Sequence, residues 1–125
     1  MDKELYSCIT PGISTNKVVL TNKAIDHMIS RHPESYEDVL IELKETILSP
    51  DYIIRDLKHE DTGLVIKRMF SDLGSEFHTF VVLKVCTNPM SDRWANSVIS
   101  GWRMSEKRLK SYLRNKQVLY RKPGI

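Results

Sequence analysis

Two helical patterns, each stopped by a proline, are followed by four strand patterns in succession, and only then by another helix. This segregation constrains the chain more than any other feature. Strands that follow one another without intervening helices pair antiparallel through short turns, and the helices are left to cover the sheet. The order predicts an α+β domain: a twisted antiparallel sheet of four to five strands with helices packed on one face. The opposite sheet face is then open to bind something. A length of 125 residues suits one such core.

The elements follow from local chemistry. Lys17 to Leu20 reads as a short strand, and Thr21 or Asn22 caps the helix after it. Ala24, Ile25, Met28 and Ile29 form that helix's apolar stripe, and Pro33 stops it. Ser35 is placed to cap a second helix with Tyr36, Val39, Leu40, Leu43 and Ile47 on its buried face, ended by Pro50. Acids early in that helix suit the positive end of its dipole. Strands are predicted over 52–57, 64–70, 77–86 and 96–103, the third central. Glu60-Asp61-Thr62-Gly63 reads as a turn and 88–93 as a loop. Ser105 caps a basic helix to about Asn115, and 117–120 reads as a last short strand. Residues 1–16 show no steady period and read as a loose lead-in or junction to the single domain at 17–125.

Composition excludes several classes. The chain is 41% hydrophobic and 28% charged, a balance that supports a packed core rather than disorder. No apolar run approaches the ~20 residues of a membrane helix. The N-terminus lacks the charged-then-apolar pattern of a signal peptide. Two cysteines without a CxxC make no disulfide framework. Net charge is only +3, but it is divided unevenly. Residues 1–61 hold 7 Lys/Arg against 12 Asp/Glu, whereas 62–125 hold 12 against 4. A polyanion would be drawn to the C-terminal half.

The residues fit for chemistry cluster at the end of the first helix. His27 and Arg31 are four apart and share a face turned from the Ile25–Ile29 stripe. Arg31 can clamp a phosphate through two parallel hydrogen bonds. His27 and His32 titrate near neutrality and can move protons. His32, seven residues after Ile25, belongs either to this cluster or to the buried stripe. RNA cleavage without a metal needs only such groups: a base for the 2′-hydroxyl, a cation for the phosphate and an acid for the leaving oxygen. The bland alternative is that a histidine closing a helix caps or packs. A metal site is disfavoured, because His27 and His32 are five apart with no carboxylate or thiol at an obvious partner position. Lys67 projects on the side of Val65 and Met69, opposite Ile66, and Ser100 on that of Val98 and Trp102. Trp94 and Trp102 read as packing residues. Tyr120, Arg121 and Lys122 could stack on and contact RNA, or could be a frayed tail.

These motifs resemble a known group. His27-Met28-Ile29-Ser30-Arg31-His32-Pro33 is similar to the "HI…RHP" helix end of the phage-associated branch of the barnase/EndoU/colicin/RelE nuclease superfamily. The likeness continues through Ser49-Pro50-Asp51-Tyr52-Ile53, Val65-Ile66-Lys67-Arg68, the strand from Phe80 to Val85, Asn96 to Ser100, the basic helix, and Val118-Leu119-Tyr120-Arg121-Lys122. Each motif is short; their order and spacing over about 17–122 are the signal.

The resemblance implies an endoribonuclease toxin domain that needs no metal or other cofactor. Such a domain cuts tRNA or other structured RNA to a 2′,3′-cyclic phosphate. It is held off by a cognate immunity protein or antitoxin. It acts in the cytoplasm of a producing or target bacterial cell, sometimes delivered within a larger secreted or phage polypeptide. By position, Arg31, His32 and Lys67 match the family's motifs, His27 also matches, and Ser100 stands where relatives carry threonine. Arg68, Lys107, Arg108, Lys110, Arg114, Tyr120 and Lys122 are the substrate-binding candidates. No membrane partner is implied, and oligomeric state is left open. The alternative is a catalytically inert module of the same fold that docks on nucleic acid or on a phage protein. An immunity factor mimicking nucleic acid suits the acidic second helix but not the basic C-terminal half.

Overall fold

A computed structural model describes residues 1–70, 76–87 and 95–125. The elements run α1 (Lys3–Tyr6), β1 (Val18–Val19), α2 (Asn22–Arg31), α3 (Tyr36–Leu48), β2 (Tyr52–Arg55), β3 (Thr62–Phe70), β4 (Glu76–Lys84), β5 (Asn96–Met104), α4 (Glu106–Asn115) and β6 (Val118–Arg121). The class is α+β, as the segregated order predicts. The loop expected at 88–93 lies outside the described residues.

The strands form one sheet in the order β1-β5-β4-β3-β2-β6. Among the described residues it has six strands rather than four to five. It is mixed rather than wholly antiparallel, because β1 pairs parallel to β5 through Val18↔Asn96 and Val19↔Ser97. Hairpin logic links neighbours in sequence and could not find this pair. Asn96 holds it together. Its side-chain amide donates to the Thr15 and Lys17 carbonyls at 2.9 Å, and its Oδ1 accepts the Cys86 N–H at 2.8 Å.

The helices cover both faces, not one. On the first face α2, α3 and the N-terminal segment bury Met28, Val39, Ile47, Val65, Val81 and Val98. On the second, α4 seats Leu109 against Ile54, Ile66, Phe80 and Met104. Alternation along β3 separates Val65 from Ile66 and so feeds both cores. Ser105 caps α4 by accepting the Arg108 N–H. Glu106 in its first turn meets the Nε2 of buried His78 at 2.5 Å, which ties the helix to β4. The α4 helix covers only part of this face.

The N-terminal segment is not loose. Tyr6 is fully buried, Ile9 nearly so, and the Tyr6 hydroxyl donates to the Ile47 carbonyl at 2.7 Å. Gly63, expected in a turn, lies in β3. A methyl there would stand 2.7 Å from Ile9 Cδ1, so the glycine is the seat for that side chain. The turn's left-handed residue is Asp61, with φ 55°. Thr21 is the α2 cap, accepting the Ala24 N–H. Ser35 precedes α3 but its side chain makes no capping bond. The buried residues of α2 are Ala24 and Met28, while Ile29 is 41% exposed, so the helix is turned from the expected stripe. Among the described residues no helix is long and apolar enough to cross a membrane.

Tyr6→Phe should lower unfolding stability by about 1–3 kcal/mol, because a buried carbonyl loses its donor. Removing residues 1–9 should cost more, since Ile9 leaves its seat. Urea denaturation reads both, and an unchanged midpoint after truncation would contradict this packing.

Candidate functional site

The uncovered part of the second sheet face is a cleft of about 890 Å³. Its floor is Leu64, Val82, Ser100 and Trp102 from β3, β4 and β5. The end of α2 forms one wall with His27, Arg31 and His32. The β2–β3 turn, with Asp56, Lys58 and His59, contributes another, and the end of α4 closes a side with Tyr112 and Lys116.

Each piece has a local cause. Beyond Ser97 the outer edge of β5 has no strand beside it among the described residues, and α2 packs against β5. That contact carries the helix end to the cleft. The β4–β5 register shifts between Val82 and Leu83: Val82 opposes Ser100, Leu83 opposes Val98, and Ile99 is the extra residue. This bulge turns both Ile99 and Ser100 to the cleft, while Val98 stays in the first core. Ser100 therefore does not share a face with Val98, as plain alternation predicts. Its residue is only 5% exposed, and among the described residues nothing hydrogen-bonds its hydroxyl. A buried hydroxyl without a partner, at the floor of a cleft, is a ready donor to a ligand oxygen.

His32 stacks on Trp102, with centroids 5.2 Å apart and planes at 25°. Trp102 stacks in turn on Phe80 at 5.8 Å, and Phe80 meets Tyr112 edge-on at 5.5 Å. The histidine is thus neither in the helix's buried stripe nor loose at its end. It is fixed by an aromatic shelf that begins in the core. Burial against that shelf lowers its pKa; Glu34 opposes the shift, while His27 and Arg31 add to it. This shift favours the neutral form of His32, which can accept a proton.

On the β2–β3 turn, Asp56 Oδ2 lies 3.1 Å from His59 Nδ1, and its Oδ1 accepts the Lys58 N–H at 2.8 Å. Burial raises the Asp56 pKa, but the Lys58 N–H and the His59 ring outweigh it and the carboxyl stays below its usual range. Arg55 is steadied by Gln117 at 3.1 Å. Among the described residues the cleft's Lys and Arg are Arg31, Arg55, Lys58, Lys84 and Lys116, against the single acid Asp56. Three of these five cations come from the acidic half of the chain, so segment charge was a poor guide to the site.

The remaining candidates lie elsewhere. Lys67 points to the other face, as its kinship with Val65 requires, and donates to the Ser49 carbonyl at 2.8 Å. It closes the end of α3 and cannot act on a substrate in the cleft. Arg68 faces Glu106 at 3.7 Å and, with Lys67 and Lys122, borders a smaller hollow of about 400 Å³ beside Asp51. Lys107, Lys110 and Arg114 line a separate groove on α4, and Arg108 is exposed on the same helix. Tyr120 packs against the first core, opposite Ile53 in the β2–β6 pair, and is no stacking platform. Sequence reasoning passed over Asp56, His59, Lys84 and Lys116 and set Trp102 aside as packing. The available signal was an Asp three residues before a His in a turn between strands.

Among the described residues no group of three or more His, Cys, Asp or Glu is placed to hold a metal ion. Comparison with family models, curated proteins and solved structures gives no match for this chain.

The lowered His32 pKa fixes a sign. The folded protein binds fewer protons than the unfolded chain just below the ordinary imidazole value of 6.5, so stability falls as pH drops through that value. It levels off below the folded pKa. NMR titration should place His32 below 6.5, and Trp102→Leu, which opens the shelf to water, should move it upward. An unshifted His32 would contradict the stacked environment.

Proposed function

We propose that the chain is a metal-independent endoribonuclease of the toxin type, on a variant of the barnase/EndoU/colicin/RelE fold, with the cleft as its active site. The observation that carries this reading is the convergence of three things in one cleft. They are a histidine stacked on Trp102 (His32), a ring of cations with Arg31 nearest to it in sequence, and the buried hydroxyl of Ser100, without a partner among the described residues. Cations in such excess suit a phosphodiester, and a neutral imidazole suits a hydroxyl nucleophile.

In this mechanism His32 takes the proton of the ribose 2′-hydroxyl. The 2′-oxygen attacks phosphorus, and Arg31 and Lys84 offset the charge that grows on the phosphate oxygens. Ser100 donates to one of those oxygens. The P–O5′ bond breaks as the leaving oxygen gains a proton, giving a 2′,3′-cyclic phosphate and a 5′-hydroxyl. Lys116 and Lys58, which also line the cleft, would hold flanking phosphates. Lys67, on the other face, has no part. Structured RNA such as tRNA is the substrate class, and a cognate immunity protein covering the cleft is the matching partner. The action is in a bacterial cytoplasm.

Purified protein should cut total RNA in EDTA and leave cyclic phosphate ends. His32→Ala should lower the rate about 10²- to 10⁴-fold. Arg31→Ala and Ser100→Ala should each cost on the order of 10²-fold. Lys67→Ala should cut like wild type while being less stable. Folded protein that binds RNA in a salt-sensitive way without cutting would favour the inert-module reading instead.

A further inference from the structure

We propose that His59, oriented by Asp56, donates the proton to the leaving 5′-oxygen, acting across the cleft from His32. The proposal rests on the ribonuclease reading above and adds its missing acid.

The geometry points to His59 in three ways. First, it lines the cleft from the β2–β3 turn, while His32 lines it from the end of α2 over β5. β5 and β3 are separated by β4, about 10 Å across the strands, and the β2–β3 turn lies beyond Thr62, four residues along β3 from the level of Trp102, so the two walls face each other along a diagonal of the cleft. Attack and departure at phosphorus occur on opposite sides, so base and acid must approach from opposite walls. His27 shares the α2 wall with His32 and cannot serve from the far side.

Second, the carboxylate fixes the ring. An ionised Asp56 can only accept a hydrogen bond, so the Nδ1 facing it carries the proton. Nε2 is then the nitrogen presented to a substrate. When His59 is doubly protonated, Asp56 compensates its charge and Nε2–H is the proton to give. Asp56 is itself held, through Oδ1, by the Lys58 N–H. It acts through His59 and is a positioning residue.

Third, His59 has no packing role, whereas Asp56 also shapes the turn by accepting the Lys58 N–H. The His59 side chain is 68% exposed, and nothing in the packing of either core requires it. The cations that line the cleft with it are Arg55 and Lys58 on its own wall, Lys84 on β4, Lys116 after α4 and Arg31 on α2. They would hold the phosphate between the two histidines.

The step balances. The O2′–P bond forms and the P–O5′ bond breaks. The 2′-hydroxyl proton passes to His32, and the His59 Nε2 proton passes to O5′. Exchange with water returns both histidines to their starting states.

The test compares an ordinary RNA with one carrying sulfur in place of the bridging 5′-oxygen, since a thiolate leaves without an acid. His59→Ala and His59→Gln should slow cleavage of ordinary RNA about 10²- to 10⁴-fold. Both should cut the thio-substrate close to the wild-type rate. Asp56→Asn should lose less on ordinary RNA and be rescued in the same way. The assignment is overturned if His59→Ala cuts ordinary RNA as wild type does, or if it loses equally on both substrates while folded by circular dichroism. If wild type cuts neither RNA, the ribonuclease reading falls and this assignment falls with it.

Discussion

The central strands of this sheet bury side chains on both faces, and that constraint governs the rest of the structure. Val65 and Val81 face one core, Ile66 and Phe80 the other. Each face must therefore be covered by apolar surface from elsewhere. On the first face, α2, α3 and the N-terminal segment supply it. On the second, among the described residues, α4 supplies it, and it reaches only part of the way. The cleft is the remainder, bounded by elements whose main task is packing: the end of α2, the β2–β3 turn and the end of α4.

The chemistry inherits its order from that packing. His32 stacks on Trp102, Trp102 on Phe80, and Phe80 is fully buried. A group that would otherwise swing at a helix end is thereby held by the core. The β5 bulge adds Ser100 to the same surface. The cations arrive from α2, β2, the turn, β4 and the end of α4, which are distant in sequence. Such charges reinforce one another towards a polyanion over a Debye length of about 8–10 Å. Much of the basic C-terminal segment is spent elsewhere. Arg103 pairs with Asp38 at 3.2 Å and also with Glu42 of α3, and most α4 cations face outward from the cleft.

Local signals were legible and long-range ones were not. Prolines, caps and periodicity locate α2, α3, β3, β4, β5 and α4 to within a few residues. They mark β1 as a short strand but are silent on its partner, which lies some eighty residues downstream, and on the N-terminal segment, whose two anchors Tyr6 and Ile9 follow no period. His27, Arg31 and His32 were legible because one helical turn joins them. The side of β3 that carries Lys67 was read correctly, but not which side would hold the cleft. Ser100 reaches the site only through a one-residue bulge. Asp56 and His59 do so only once the β2–β3 hairpin closes, and no helical or strand period marks them.

The central claim is that one sheet face, and not the basic surface of α4, takes the RNA phosphate. Titrating the protein with an RNA oligonucleotide blocked by 2′-O-methyl groups, and following backbone NMR shifts, tests it most directly. The account predicts saturable shifts at Arg31, His32, His59, Lys84 and Ser100, with little change at Lys67, Lys107, Lys110 and Arg114. Shifts confined to α4 or to the hollow beside Lys122, with the cleft silent, would contradict it.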